Sequence, residues 1–127
     1  MTHYIFDHIH LFSPDPEGMA DYFESMFGAE VIRSDQGGRL RIDLKLGGAN
    51  IFILDVSGDP KAVEGPSHPH RGLDQFGLTV ADIDKVCDEL KAKGAKFKRG
   101  PETIRPGIRI AFIEGYPQEA VVVGRLF

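Results

Sequence analysis

Two histidines near the start of the chain, His8 and His10, are the strongest candidates for chemistry. Alternate side chains of a strand point to the same face, so the two imidazoles are predicted about 7 Å apart along one face. Phe6 and Phe12 fall on that face and give it an aromatic wall. Because imidazole changes charge near neutral pH, the pair suits catalysis, ligand binding or metal coordination. His8 and His10 are therefore candidate catalytic residues or, alternatively, histidines that only line a pocket, and Phe6 and Phe12 are candidate substrate-binding residues.

Other strands are predicted to turn polar and apolar side chains toward the same concavity. These residues are Gln75, the alternating pair Ile53 and Asp55, and the alternating pair Val123 and Arg125. The same alternation predicts that Phe52 and Leu54 face a helix. Mostly apolar walls with a few polar groups are typical of a small-molecule pocket.

Two amphipathic helices are predicted to support these strands. The first follows a capping Asp15 with Pro16 in its first turn and stops at Gly28. The second follows Asp82 and stops at Gly94. Cys87 lies on the apolar stripe of the second helix and is predicted to belong to the core.

The pattern of strand and helix occurs twice along the chain. His8 and Gln75, each before a helix, are 67 residues apart (75 − 8), and Gly28 and Gly94 are 66 apart (94 − 28). Each helix is followed by three segments of strand character, 29–34, 40–46 and 50–56 in the first half and 95–99, 108–113 and 120–126 in the second. The sequence predicts an α+β fold built from two tandem βαβββ units.

The 127 residues fit a single domain made of unit 1–57, a linker 58–71 and unit 72–127. The linker is rich in proline and glycine. Its His68, His70 and Arg71 are interpreted either as part of a solvated loop or as part of a lid over an anionic substrate.

Composition narrows the class of protein. A net charge of −4 with both signs interspersed argues against a nucleic-acid groove. No apolar run approaches the ~20 residues that span a bilayer. The single cysteine excludes an internal disulfide, and the first residues lack the pattern of a signal peptide. We expect a cytoplasmic protein that binds neither membrane nor nucleic acid.

Four stretches resemble the vicinal oxygen chelate superfamily, which includes glyoxalase I, extradiol dioxygenases and bleomycin-binding proteins. They are residues 6–9, 23–29, 72–84 (GLDQFGLTVADID) and 107–113 (GIRIAFI). The resemblance implies a glyoxalase-like curved mixed sheet around one cleft, a small-molecule substrate or ligand, and a homodimer.

The resemblance also implies a divalent metal site, for Zn, Ni, Mn, Co or Fe, that is incomplete in this sequence. His8 matches the ligand of the first strand, and Gln75 stands where the second half usually offers a histidine. The two carboxylate positions fall on Ile53 and Val123, which are apolar. His10 and Asp55 are candidate replacements for the missing ligands, and Glu119 is a candidate only if the last strand has a different register.

Two functions follow from the resemblance. The first is a glyoxalase-type lyase or isomerase, or a dioxygenase, in which a metal polarises adjacent oxygens of a small substrate. The alternative is a metal-free binding protein like the bleomycin-resistance members, with its ligand oriented by His8 and Gln75. An acid–base enzyme that uses His8 without a metal lies between them.

Overall fold

The computed structural model of the protein describes residues 2–65, 69, 71–73, 75–115 and 120–123, the last four by their backbone alone. Its elements are, in chain order, β1 (Ile9–Ser13), α1 (Pro16–Phe27), β2 (Glu30–Gln36), β3 (Arg39–Leu46), β4 (Ala49–Asp55), β5 (Gln75–Leu78), α2 (Ile83–Ala92), β6 (Phe97–Arg105), β7 (Ile108–Glu114) and β8 (Ala120–Val123). The α+β class and the repeated order of elements agree with the sequence prediction.

The chain divides into two compact units, Met1–Glu64 and Gly65–Phe127, and the boundary falls inside the predicted linker. In the first unit the strand order is β1-β4-β3-β2. β1 pairs parallel to β4, and β2, β3 and β4 pair antiparallel. In the second unit the order β5-β8-β7-β6, again with one parallel pair, repeats that topology. Each unit is therefore a βαβββ motif with a mixed sheet.

The structure contains both helix N-caps predicted from the sequence, and a glycine follows each helix as predicted. The Asp15 carboxylate accepts a hydrogen bond from the Gly18 amide at 3.0 Å, and the Asp82 carboxylate accepts one from the Lys85 amide at 3.1 Å. These bonds satisfy donors that have no partner inside the helix. Gly28 ends α1 in the left-handed conformation, at φ 70°. Gly94, also at positive φ, follows the Lys93 cap of α2.

The core of the first unit lies between α1 and one face of its sheet. Its buried side chains include Met19 and Phe23 from α1 and Ile42, Leu44, Ile51 and Ile53 from β3 and β4. The prediction that Phe52 and Leu54 face the helix is wrong, because β4 buries the alternate set, Ile51 and Ile53. The strand alternates as predicted, but its two polar residues, Asn50 and Asp55, lie at opposite phases of the alternation and so do not fix which face meets the helix.

The second unit has its own core. Ile83, Cys87 and Ala111 form a buried cluster, and Val80 and Phe97 pack against it. Burial raises the pKa of the Cys87 thiol, which makes the reactive thiolate scarcer. Cys87 is a core residue, as predicted.

With 12 and 10 residues, neither helix in the described part of the chain is long and apolar enough to cross a membrane.

Candidate functional site

Strand register defines one face of the first sheet as the candidate site. His10 pairs with Phe52, which in turn pairs with Asp43 of β3. Phe12 and Arg41 both pair with Leu54. Since directly paired residues of adjacent strands lie on the same side of a sheet, these side chains share the face opposite α1. We call His8, His10, Phe12, Arg41, Asp43 and Phe52 the histidine face.

Three rings cluster on the histidine face. The centroids of His8 and Phe52 are 4.4 Å apart with planes 24° from parallel, so the two rings stack. His10 lies 4.7 Å from His8 and 5.4 Å from Phe52, centroid to centroid. The structure thus brings the two predicted histidines together. Beside them lies Phe52 of β4, which was predicted to face the helix.

Two hydrogen bonds hold the segment that carries His8, one to its imidazole ring and one to the backbone of the neighbouring Asp7. Its Nδ1 lies 2.6 Å from Oδ2 of Asp7. A carboxylate can only accept a hydrogen bond, so Nδ1 carries the proton and Nε2 is the ring nitrogen left for a ligand. The Asn50 side-chain amide donates to the Asp7 carbonyl at 3.0 Å and attaches this segment to β4.

Arg41 adds a permanent positive charge to the face. Its Nε donates to Oδ1 of Asp43 at 2.7 Å, and its guanidinium carbon lies 4.2 Å from the Phe52 centroid. The hydrogen bond to Asp43 raises the pKa of Arg41. Arg41 was not among the predicted site residues, although β3 carries a signal for it: Leu40, Ile42, Leu44 and Leu46 alternate with Arg41, Asp43 and Lys45.

The structure places other predicted site residues differently. Phe12 lies on the histidine face with 69% of its surface exposed. Phe6 precedes β1, which begins only at Ile9, and is 74% exposed. The prediction for Ile53 is wrong, because its side chain is fully buried in the core on the helix side.

Asp55 alternates with Ile51 and Ile53 and so belongs to the helix side of the register, not to the histidine face. Its carboxylate accepts a hydrogen bond from the Ser57 amide at 2.7 Å. Bonds with the side chain and the amide of Ser57 lower the pKa of Asp55. Asp55 therefore organises the turn after β4, and its assignment to the substrate site is corrected.

In the second unit, Gln75 is the first residue of β5 and is partly buried. Gly77 pairs with Val122 of β8 as His10 pairs with Phe52 of β4. The register equivalent of Phe52 is therefore Val122, whereas Val123, the predicted residue, pairs with Leu78. Arg125, Glu119, His68 and His70 lie outside the described residues. A shared site of His8 and Gln75 stays a prediction.

The histidine face does not fit a divalent metal. Metal sites with an open position use about three nitrogen, sulfur or oxygen ligands. Phe52 occupies the strand position beside His10, Nδ1 of His8 contacts Asp7, and Asp43 contacts Arg41. In the part of the chain that the structure describes, no group of three or more histidine, cysteine or acidic side chains could hold a metal ion.

Comparison with known proteins gives a match over most of the chain. The family model described as "Glyoxalase/Bleomycin resistance protein/Dioxygenase superfamily" matches residues 5–116. A 41-residue stretch is 44% identical to glyoxalase I of Saccharomyces cerevisiae. That stretch covers 32% of this chain but only 13% of the yeast protein.

Solved structures share the fold at low sequence identity. A glyoxalase family protein from Bacillus cereus superimposes with a TM-score of 0.79 at 16% identity, covering 100% of this chain and 97% of the other. The fosfomycin resistance protein FosX of Listeria monocytogenes, solved with Mn(II) and sulfate, gives a TM-score of 0.70 at 16% identity. This match covers 99% of the present chain and 93% of FosX.

Proposed function

Because the chain belongs to the Glyoxalase/Bleomycin resistance protein/Dioxygenase superfamily, we propose that it binds a small organic molecule on the histidine face without a metal ion. One observation carries this proposal. Phe52, which pairs with His10 and stacks on His8 with 4.4 Å between the ring centroids, places an apolar ring on the face where a metal site would need a further ligand atom. A phenylalanine ring has no nitrogen, sulfur or oxygen atom to coordinate a divalent metal, but it can make apolar contacts with a ligand.

The chemistry of the face suits a ligand with both apolar and polar parts. Phe12, largely exposed, supplies apolar surface for the body of the ligand. Nε2 of His8 and the His10 ring supply hydrogen bonds that orient it. Apolar contact area with a few aimed polar groups is the usual composition of a small-molecule site.

The competing proposal is a metal-dependent lyase, isomerase or dioxygenase with His8 and Gln75 as metal ligands. The observation that favours it is the fold shared with FosX, which was solved with Mn(II). It requires further ligands that the histidine face does not offer, so we place it second. Under this alternative the protein would retain Zn, Ni, Mn, Co or Fe after purification.

A metal analysis and a binding assay together separate the two functions. Purified protein, dialysed without chelator, is analysed for its content of transition metals by mass spectrometry. Its thermal unfolding is then followed with and without a panel of aromatic ligands. We expect well under one equivalent of metal per chain, and a ligand-induced rise in Tm that EDTA does not change.

Variants assign that binding to the histidine face. His8→Ala and Phe12→Ala are each expected to weaken binding at least fivefold, since a lost contact of about 1 kcal/mol has that effect. The control is His3→Ala, which removes an exposed histidine outside the face. One equivalent of tightly held metal that is lost in His8→Ala would refute the proposal and support the metal enzyme.

We also propose that the protein forms a homodimer, as expected from its family. The support within the structure is an exposed apolar segment before β1, in which Tyr4 and Ile5 are 90% and 92% exposed. Contiguous exposed apolar surface commonly marks a protein interface. Light scattering during gel filtration should give twice the chain mass of 14.0 kDa, and Ile5→Glu should reduce it to the monomer value.

A further inference from the structure

Arg41 is fixed in place by two contacts on the histidine face. Its Nε and Nη2 atoms point to the two carboxylate oxygens of Asp43, at 2.7 and 3.4 Å. Its guanidinium group lies over the Phe52 ring, with 4.2 Å between the guanidinium carbon and the ring centroid. A guanidinium restrained in this way loses little conformational entropy when it binds a further partner.

Part of the hydrogen-bonding capacity of Arg41 is left over. A guanidinium has five N–H donors, and the bonds to Asp43 use Nε and Nη2. Within the described residues, Nη1 makes no hydrogen bond. The side chain is 29% exposed, so solvent and small ligands can reach it. Arg41 can therefore bind a second acceptor group without giving up Asp43.

The polar groups on and beside this face differ in whether they already have a hydrogen-bond partner. Asp7 is bonded to His8, and Asp43 is bonded to Arg41. Nη1 of Arg41 and Nε2 of His8 both remain for a ligand, and both side chains contact the same Phe52 ring. The N–H donors of Arg41 Nη1 complement an anion, whereas Nε2 of His8, unprotonated while Nδ1 donates to Asp7, can accept a hydrogen bond from a neutral group of the ligand.

We propose that the ligand of this protein is an organic carboxylate and that Arg41 is the residue that recognises its negative charge. The proposal rests on the proposed function and specifies its ligand class. In it the fixed guanidinium supplies the positive charge that a bound metal would supply to substrate oxygens. Arginine is suited to this, because its planar donors match the two oxygens of a carboxylate. Phe12 then contacts the apolar part of the ligand.

The test compares two probes of nearly the same shape, benzoate and benzamide, which differ in charge. Their affinities for the full chain are measured by isothermal titration calorimetry at low salt. We expect wild-type protein to bind benzoate at least tenfold more tightly than benzamide. Arg41→Gln should abolish this preference, because it removes the charge that distinguishes the two probes.

A matched control is available on the opposite side of the sheet. Arg33 makes an arginine–carboxylate pair of the same length, 2.7 Å, with Glu17 of α1. Arg33→Gln removes the same charge and a comparable ion pair, and it should keep the preference for benzoate. If Arg41→Gln fails to fold, Arg41→Lys keeps the charge without the planar donors and should lower the preference severalfold.

The outcomes separate the inference from the function on which it rests. Equal binding of both probes by wild-type protein, or an equal loss in Arg33→Gln and Arg41→Gln, overturns the role of Arg41 and leaves small-molecule binding intact. Failure of wild-type protein to bind either probe overturns the proposed function, and the inference with it.

Discussion

Truncation of Ile53 tests the placement of the site most directly. The structure buries Ile53 completely in the core and leaves its neighbour Leu54 partly exposed on the other face. Ile53→Ala and Leu54→Ala each remove three carbon groups from adjacent positions of β4. The reversed alternation, with Ile53 in the site and Leu54 under the helix, predicts the opposite order of effects.

The size of the effect follows from burial. Each buried methylene contributes about 0.8 kcal/mol, so removal of three from Ile53 costs about 2.4 kcal/mol before any cavity is counted. The cavity left in a packed core brings the loss in the free energy of unfolding to about 3–4 kcal/mol. Leu54 loses only part of this burial and leaves no closed cavity, and we expect a cost of about 1 kcal/mol for Leu54→Ala.

Urea unfolding at 25 °C, followed by far-ultraviolet circular dichroism, gives both free energies. Ile53→Val, expected to cost about 0.5–1.5 kcal/mol, is the substitute if Ile53→Ala does not fold. The register of β4 is refuted if Leu54→Ala proves more destabilising than Ile53→Ala. It is also refuted if Ile53→Val weakens ligand binding while the stability stays at the wild-type value.

Two further predictions concern the second unit. A Cβ at Gly100 would lie 2.5 Å from the carbonyl oxygen of Ile110, and its φ is +81°. Gly100→Ala should therefore lower the Tm more than Gly107→Ala, which has φ +78° but nothing within 4 Å and so costs only about 1–2 kcal/mol of backbone strain. The explanation fails if calorimetry gives the two variants equal Tm values. The second prediction concerns Asp84, whose pKa is lowered chiefly by its hydrogen bond from Arg109. A lowered pKa contributes stability above the unfolded-state value of about 3.9, and this is lost as the pH falls through the folded-state value. The Tm difference between wild type and Asp84→Asn should be largest near pH 7 and shrink below about pH 4. A difference that stays constant from pH 7 to pH 3 would contradict this role of the ion pair.

Local features of the sequence predicted the elements well. Asp15 and Asp82 cap the two helices, and Gly28 and Gly94 follow them, because caps depend on backbone groups within a few residues. The bounds of β6 were predicted least accurately. It was predicted over 95–99 but runs from Phe97 to Arg105, with several register shifts opposite β7. A proline such as Pro101 is unfavourable inside a strand, and pairing with β7 extends the strand past it.

The candidate site was predicted in part. His8 and His10 do lie together, because a separation of two residues brings side chains to one face in any strand. Arg41 could have been found from the alternation in β3, where polar residues separate four aliphatic ones. Phe52 could not, because both faces of β4 are apolar in sequence and either phase of the alternation fits.

The sequence by itself determined the two βαβββ units and their helix ends, since these depend on residue types and short spacings. The tertiary structure alone decided which side of β4 meets the histidines. Pairing of Phe52 with His10 and of Ile53 with Leu11 is set by hydrogen bonds to β1, and the burial of Ile51 and Ile53 is set by packing in the core on the α1 side. Contacts between strands about 40 residues apart in the chain leave no trace in local periodicity. For that reason the position of Phe52 beside His8 could be identified only from the folded structure.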